Sequence, residues 1–245
     1  MSDGEVLFTD VADQKLLLRA INIDTGAIRE LTAAVLPWRF SLSPDRSRMA
    51  FISDANGFTE VWTSGIDGRD AKQLSDDLVL PGTPSWFPDG RSVAYASGGK
   101  VSAIWKRSID QPRAVRLTNV PATNPEISPD GKQLLCRLQT SKPGTWSIAL
   151  LNVAGDVPPR YFDYRHYSGA GTRWLPDSEA YATVDTRDGV QNIFVQPIRS
   201  GEPRQITHFQ SRGIIFDFDI SRNGKRIVLS RRVPADDMFL IRDFR

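Results

Sequence analysis

The stretch His166-Tyr167-Ser168-Gly169-Ala170-Gly171 brings a potential nucleophile close to a potential base. A serine hydroxyl attacks well only when an imidazole takes its proton and an acid orients that imidazole. No acid stands at a recognisable spacing from His166, and the sequence contains no G-x-S-x-G nucleophile elbow. A glycine-rich loop between repeats accounts for the same six residues, so no catalytic residue is assigned and the chain is expected not to be an enzyme. With two histidines and one cysteine, the sequence offers too few soft ligands for a transition-metal site. Asp54-Ala55-Asn56-Gly57 and Asp185-Thr186-Arg187-Asp188-Gly189 carry oxygen ligands of the calcium type. They lack the bidentate glutamate and the full acidic run, and they read as hairpin turns. Cys136 lies in the apolar run Leu134-Leu135-Cys136 and is expected to pack in a core rather than react. No metal and no cofactor is expected.

A second set of polar residues recurs at fixed places. Counting back from a repeated turn, the sixth position reads Arg39, Thr83, Asn124, Gly171 and Asp217, and the fourth reads Ser41, Ser85, Glu126, Arg173 and Asp219. The third instead reads Leu42, Trp86, Ile127, Trp174 and Ile220. Alternation of this kind separates a polar face from an apolar one along a strand. Arg39, Ser41, Thr83, Ser85, Asn124, Glu126, Arg173, Asp217 and Asp219 are therefore the ligand-binding candidates. A polar face that is merely solvated and internally ion-paired is the plainer reading. In either case the charges are expected to neutralise one another locally, because unpaired buried charge is costly.

The elements that hold these residues follow from an internal repeat. Ser43-Pro44-Asp45 returns as Phe87-Pro88-Asp89-Gly90, Ser128-Pro129-Asp130-Gly131, Leu175-Pro176-Asp177 and the degraded Ser221-Arg222-Asn223-Gly224. The third residue of each copy falls at 45, 89, 130, 177 and 223, a period in the forties. Helical repeats share that period, so the local pattern must arbitrate. Proline, aspartate and glycine each suit a different corner of a β-turn. Short apolar runs follow the turns: Met49–Ile52, Val93–Ala96, Leu134–Cys136, Tyr181–Val184 and Ile227–Leu229. They are too short for helices and apolar on both faces, as in strands packed between neighbouring sheets. Third strands are expected at Glu60–Trp62, Ala103–Trp105, Trp146–Ile148, Asn192–Val195 and Met238–Ile241, and fourth strands at Lys72–Leu74, Val115–Thr118 and Arg204–Thr207. Four strands per repeat make a propeller blade.

The fold class is thus all-β, a propeller of about six four-stranded blades in one domain. The repeats run approximately over 1–32, 36–77, 80–119, 121–164, 166–209 and 211–245. Residues 5–32 resemble a repeat without its first strand, and Asp237–Arg245 is a third strand with no fourth behind it. Four complete blades and two of three strands are expected, hence an imperfectly closed ring or one completed by residues upstream of Met1. Strand edge would then be exposed at Met238–Ile241.

Basic and acidic side chains number 31 and 29, and both signs are scattered. That gives no electrostatic footprint for nucleic acid. No apolar run approaches the length of a membrane span. The opening Met1-Ser2-Asp3-Gly4-Glu5-Val6 has neither the basic nor the apolar region of a signal peptide, and the compartment stays undecided.

The segment from Leu42 to Leu74 carries the combined pattern best, with Ser43-Pro44-Asp45, Ser53-Asp54, Asn56-Gly57, Asp67-Gly68 and Gln73-Leu74. It resembles the TolB-type, WD-like propeller repeat, and the resemblance covers nearly the whole chain. The ending Asp236–Phe244 is most similar to C-terminal propeller halves of bacterial kinases and winged-helix regulators. The resemblance implies that the first strand of each blade is innermost, beside a central channel. It also implies a non-catalytic binding or scaffolding propeller, part of a larger regulator or TolB-like protein. Its partner would be a protein, a peptide or a small ligand at the channel mouth. The alternative is the accessory propeller of a prolyl-oligopeptidase-type peptidase without its hydrolase domain. Arg46 and Ser178 replace the glycine of the repeated turn and Arg222 replaces its proline, so altered turn geometry is expected there.

Overall fold

The computed structural model describes residues 4–12, 15–31, 39–54, 56–75, 82–98, 102–142, 144–162, 170–233 and 236–242. Described residues form strands and turns and no helix, so none is long and apolar enough to cross a membrane. Among the described residues six sheets follow one another along the chain, each a meander in chain order. The first holds β1 (Glu5–Ala12), β2 (Lys15–Asn22) and β3 (Ile28–Leu31). The second holds β4 (Arg39–Leu42), β5 (Arg48–Ser53), β6 (Glu60–Gly65) and β7 (Lys72–Gln73), and the third β8 (Ser85–Trp86), β9 (Ser92–Ser97), β10 (Ala103–Ser108) and β11 (Ala114–Arg116). The fourth comprises β12 (Ala122–Ile127), β13 (Gln133–Gln139), β14 (Trp146–Asn152) and β15 (Arg160–Phe162). The fifth comprises β16 (Thr172–Trp174), β17 (Ala180–Arg187), β18 (Val190–Pro197) and β19 (Arg204–Gln205). The sixth has β20 (Ile214–Ile220), β21 (Arg226–Arg232) and β22 (Asp236–Arg242). Four sheets of four strands between two of three agree with the blade count read from the repeat. The fourth strand of the fourth blade, β15, is required by the expected count of complete blades, but its residues were not located in the sequence because it has no apolar run.

The chain divides into two compact units, residues 1–125 with 136–145 and residues 126–135 with 146–245. Within the first, β5 shows why the second strand of a repeat is apolar on both faces. Met49 and Phe51 join Leu18, Ala20 and Leu31 of the first sheet. Ala50 and Ile52 turn the other way, into a cluster with Trp86, Val93 and Tyr95 of the third. β17 does the same in the second unit. Tyr181 packs with Leu135, Ile148, Phe162 and Trp174, while Ala182 and Val184 pack with Ile215, Phe218, Ile227 and Leu229. Each such strand is a wall shared by two cores, so a small residue at Ala50, Ala94 or Ala182, each 0% exposed, lets the sheets approach.

The repeated turns are alike. Arg46, Gly90, Gly131, Ser178 and Gly224 donate their amides to the carbonyls of Ser43, Phe87, Ser128, Leu175 and Ser221 at 2.7–3.0 Å. All five have positive φ: 58° at Arg46, 62° at Gly90, 74° at Gly131, 61° at Ser178 and 67° at Gly224. The expectation of altered geometry is corrected. Arginine and serine are held in the left-handed region that glycine adopts freely. Where the turn opens on serine, the hydroxyl bridges it: Ser43 Oγ donates to Asp45 at 2.6 Å and accepts from the Arg48 amide at 3.0 Å. Ser221 repeats this with Asn223 and Arg226, so the degraded copy keeps the bridge without its proline.

Candidate functional site

Arg39 and Ser41 lie on β4, Ser85 on β8, Thr83 just before it, and Asn124 on β12, all in the first unit. Arg39 is exposed, Thr83 half-buried and Ser85 buried. The Ser41 hydroxyl is shielded from solvent and has no hydrogen-bond partner. Asn124 has a positive φ of 53°, rare within a strand. A Cβ on Gly82 would come within 2.7 Å of the Asn124 Oδ1, so glycine is what allows this approach. Trp86 aligns the blades from the apolar side, its Nε1 donating to the Ser41 carbonyl at 3.2 Å.

Glu126, Arg173, Asp217 and Asp219 are brought together in the second unit. β16 presents Arg173, whose Nη2 lies 3.0 Å from Asp217 and whose Nε lies 3.7 Å from Asp219, both on β20. Its Nη1 donates to the Thr172 carbonyl at 2.9 Å. Glu126 on β12 feels this group as well. Burial pushes its carboxyl up to about 7; Arg173 counteracts the rise and Asp219 and Asp217 add to it. Trp174 fixes β12 against β16 through an Nε1 donor bond of 3.0 Å to the Glu126 carbonyl, the counterpart of the Trp86 bond within the first unit. Arg173 and the aspartates pair as charges, while Glu126 is pushed toward its uncharged form. Two carboxylates hold the guanidinium, and the third carboxyl meets both attraction and repulsion. The arrangement can hold and release a proton near neutrality and can attract a cation.

His166 and Ser168 lie outside the described residues. The Asp185 loop is a two-residue hairpin, with Asp188 and Gly189 at φ 50° and 76° between the paired Arg187 and Val190. Asp185 spends its carboxylate on the Thr186 amide and the Arg187 guanidinium, at 2.8 and 3.2 Å. Cys136 is buried, and desolvation pushes its thiol far up, the character of a core residue. A cleft of about 380 Å³ opens between the turns at 44–48 and 88–91, bounded also by Ile109 and Asp110. Counting residues missed it, because it arises from the spacing of two neighbouring turns. Two of its three carboxylates already serve those turns: Ser43 and Ser47 hold Asp45 down at about 2, and Asp89 accepts from Arg91 and Ser92.

No family model matches the chain. The Tol-Pal system protein TolB of Francisella tularensis subsp. tularensis is 25% identical over 208 residues, covering 81% of this chain and 47% of that protein. An uncharacterized peptidase of Bacillus subtilis, YuxL, is 26% identical over 220 residues, covering 85% of this chain and 31% of the relative. Among solved structures, TolB from Acinetobacter baumannii superposes with a TM-score of 0.79 at 17% identity, covering 98% of this chain and 61% of that one. The chain spans about half the length of the TolB proteins it matches. It is homologous to TolB-like β-propellers, and its fold is the β-propeller. These relatives lend no support to the nearer likeness to propeller halves of bacterial kinases and winged-helix regulators.

Proposed function

We propose that the chain is a non-catalytic binding propeller that engages a protein or peptide through the polar faces of its first strands. The observation that carries this is the cluster of Arg173, Asp217 and Asp219 with Glu126. It is charged, half open to solvent and built from first strands, and its guanidinium is engaged by two carboxylates. Similarity to a protein named for the Tol-Pal system supports a protein partner. In the first unit, Arg39, Ser41, Thr83, Ser85 and Asn124 occupy the corresponding positions counted back from the repeated turn.

The test begins with a partner recovered from the source organism and purified. Its affinity is then measured for the chain and for an Arg39→Ala/Thr83→Ala variant, two side chains that are not buried. Saturable binding that weakens about tenfold in the variant is expected, a change of about 1.4 kcal/mol. Equal affinity would remove Arg39 and Thr83 from the site. Hydrolysis of peptide or ester substrates that vanishes in Ser168→Ala would overturn the non-catalytic reading.

The similarity to YuxL favours a second reading, the accessory propeller of a peptidase. A hydrolase reading frame beside the gene, whose product binds this chain and changes its own turnover on doing so, would decide for it.

A further inference from the structure

β20 carries an irregularity that repeat counting does not find. Ile215 pairs with Arg231 and Asp217 with Ser230, and Phe216 between them has no partner, which marks a β-bulge. In an unbroken strand Phe216 and Asp217 would project from opposite faces. Here Ile215 and Phe218 are both buried, 0% and 2% exposed, and both enter the cluster with Ile193, Ile227 and Leu229. Ile214, Phe216, Asp217 and Asp219 therefore stand together on the other face. Ile214 and Phe216 are 49% and 50% exposed, and the side chains of Asp217 and Asp219 are 60% and 81% exposed. The guanidinium that pairs with both carboxylates is set behind them, with the Arg173 side chain only 17% exposed. What faces solvent is two carboxylates against one exposed guanidinium, Arg232, with two large apolar side chains beside them. The Arg232 guanidinium lies 5.9 Å from the Phe216 ring centroid, so this ring already takes a cation near its face.

We propose that this face of β20 is a docking surface for a partner-protein segment in which a lysine or arginine lies next to a large apolar side chain. The cation is taken by Asp217 and Asp219, and the apolar neighbour by Phe216 and Ile214. The charge favours this occupant, since the two outward carboxylates outnumber the exposed guanidinium of Arg232 and disfavour nucleic acid and anionic lipid alike. The bulge supplies the geometry, because it is what puts apolar and acidic residues of one strand on one side. The inference rests on the reading of the chain as a binding module and gives its partner a chemistry.

Two probe peptides test it: acetyl-Gly-Leu-Arg-Phe-Lys-Gly-amide, and the same peptide with glutamate in place of arginine and lysine. Backbone amide shifts of the labelled chain are followed during titration. The basic peptide is expected to move the amides of residues 214–219 and to saturate, and to weaken as salt rises toward 0.5 M, on the order of threefold or more. The acidic peptide is expected to leave them in place. Asp217→Asn/Asp219→Asn is expected to weaken the basic peptide about tenfold and Phe216→Ala several-fold. Unchanged melting of these variants would confirm that their exposed positions are not needed for folding. Equal response to both peptides, shifts centred elsewhere, or unaltered binding by the variants would overturn the proposal. A dimer that Phe216→Ala dissolves would overturn it too, by making a second copy the occupant. If the purified partner binds Asp217→Asn/Asp219→Asn as well as it binds the unaltered chain, this surface fails while the binding-module reading stands.

Discussion

Arg46 and Ser178 hold left-handed backbone where Gly90, Gly131 and Gly224 stand in other repeats. The sequence shows the missing glycines but not the outcome, because the turn is fixed by bonds from its neighbours as much as by its own residue. Ser178 shows one such neighbour: its hydroxyl accepts the Asp130 amide, 48 residues earlier in the chain, at 3.1 Å. Glu126 was legible as a member of the polar face, but not as a group that titrates near neutrality. That property needs the enclosure of β12 and the two aspartates of β20, which lie far along the chain. Its sign gives a prediction. The folded carboxyl binds its proton up to about pH 7, and the unfolded one only to about 4.5. The folded state therefore carries the extra proton between those values, and stability falls as pH rises through the interval. Glu126→Gln removes the dependence. Melting at pH 5 is expected to differ little between the two proteins, whereas at pH 8 the variant is expected to be more stable by on the order of 1–3 kcal/mol. Equal loss of stability in both on going from pH 5 to pH 8 would show that Glu126 does not titrate in that interval.

At the scale of the element, second and third strands were legible because each is sandwiched and its apolar run is dense. β5 and β17 extend the expected runs by a residue or more at either end and no further than their turns. β15 was not legible, since Arg160 and Tyr161 are exposed and only Phe162 is buried. The bulge in β20 was also beyond reach, because it shows only in the pairing with β21. One device of the fourth strand was written in the sequence without being recognised. Leu74-Ser75, Leu117-Thr118 and Ile206-Thr207 end their blades alike. The hydroxyls of Ser75, Thr118 and Thr207 accept the amides of Val61, Ile104 and Ile193 at 2.9, 3.0 and 2.8 Å. A short outer strand is thereby fastened where backbone pairing has run out. Thr207, 2% exposed, also donates to Asn192 Oδ1 at 2.9 Å. Thr207→Val keeps the shape and leaves the Ile193 amide buried without a partner. Denaturant unfolding is expected to show a loss of about 1–3 kcal/mol, with a similar loss for Thr118→Val. A neutral substitution at both would show that the hydroxyls are incidental.

For the whole molecule, the repeat made the architecture readable, because one unit recurs and each copy corroborates the others. The docking chemistry was not readable in the same way, since it depends on where one copy departs from the rest. The repeat also dictates an order of local stability. A strand that is a wall of two cores can open only by breaking both, while an outer strand opens by releasing one ladder. β9 is buried at every residue, and the first five residues of β17 are buried as well. β7 has two exposed residues paired with Trp62 and Thr63, and β19 has an exposed Arg204 and a half-buried Gln205 paired with Val195 and Phe194. Amide hydrogen exchange is therefore expected to be slowest in β5, β9 and β17 and fastest in β7 and β19. Protection of the first strands β8 and β16 should fall between, because each is short but covered by its buried tryptophan, Trp86 or Trp174. The order should repeat from blade to blade rather than follow distance from either terminus. Since the hydroxyl of Thr207 fastens β19, Thr207→Val should speed exchange at Gln205 and Ile193 while leaving β9 unchanged. Uniform protection across all four strands of a blade would mean that blades open as single blocks, and the two-core argument for the second strand would then be wrong.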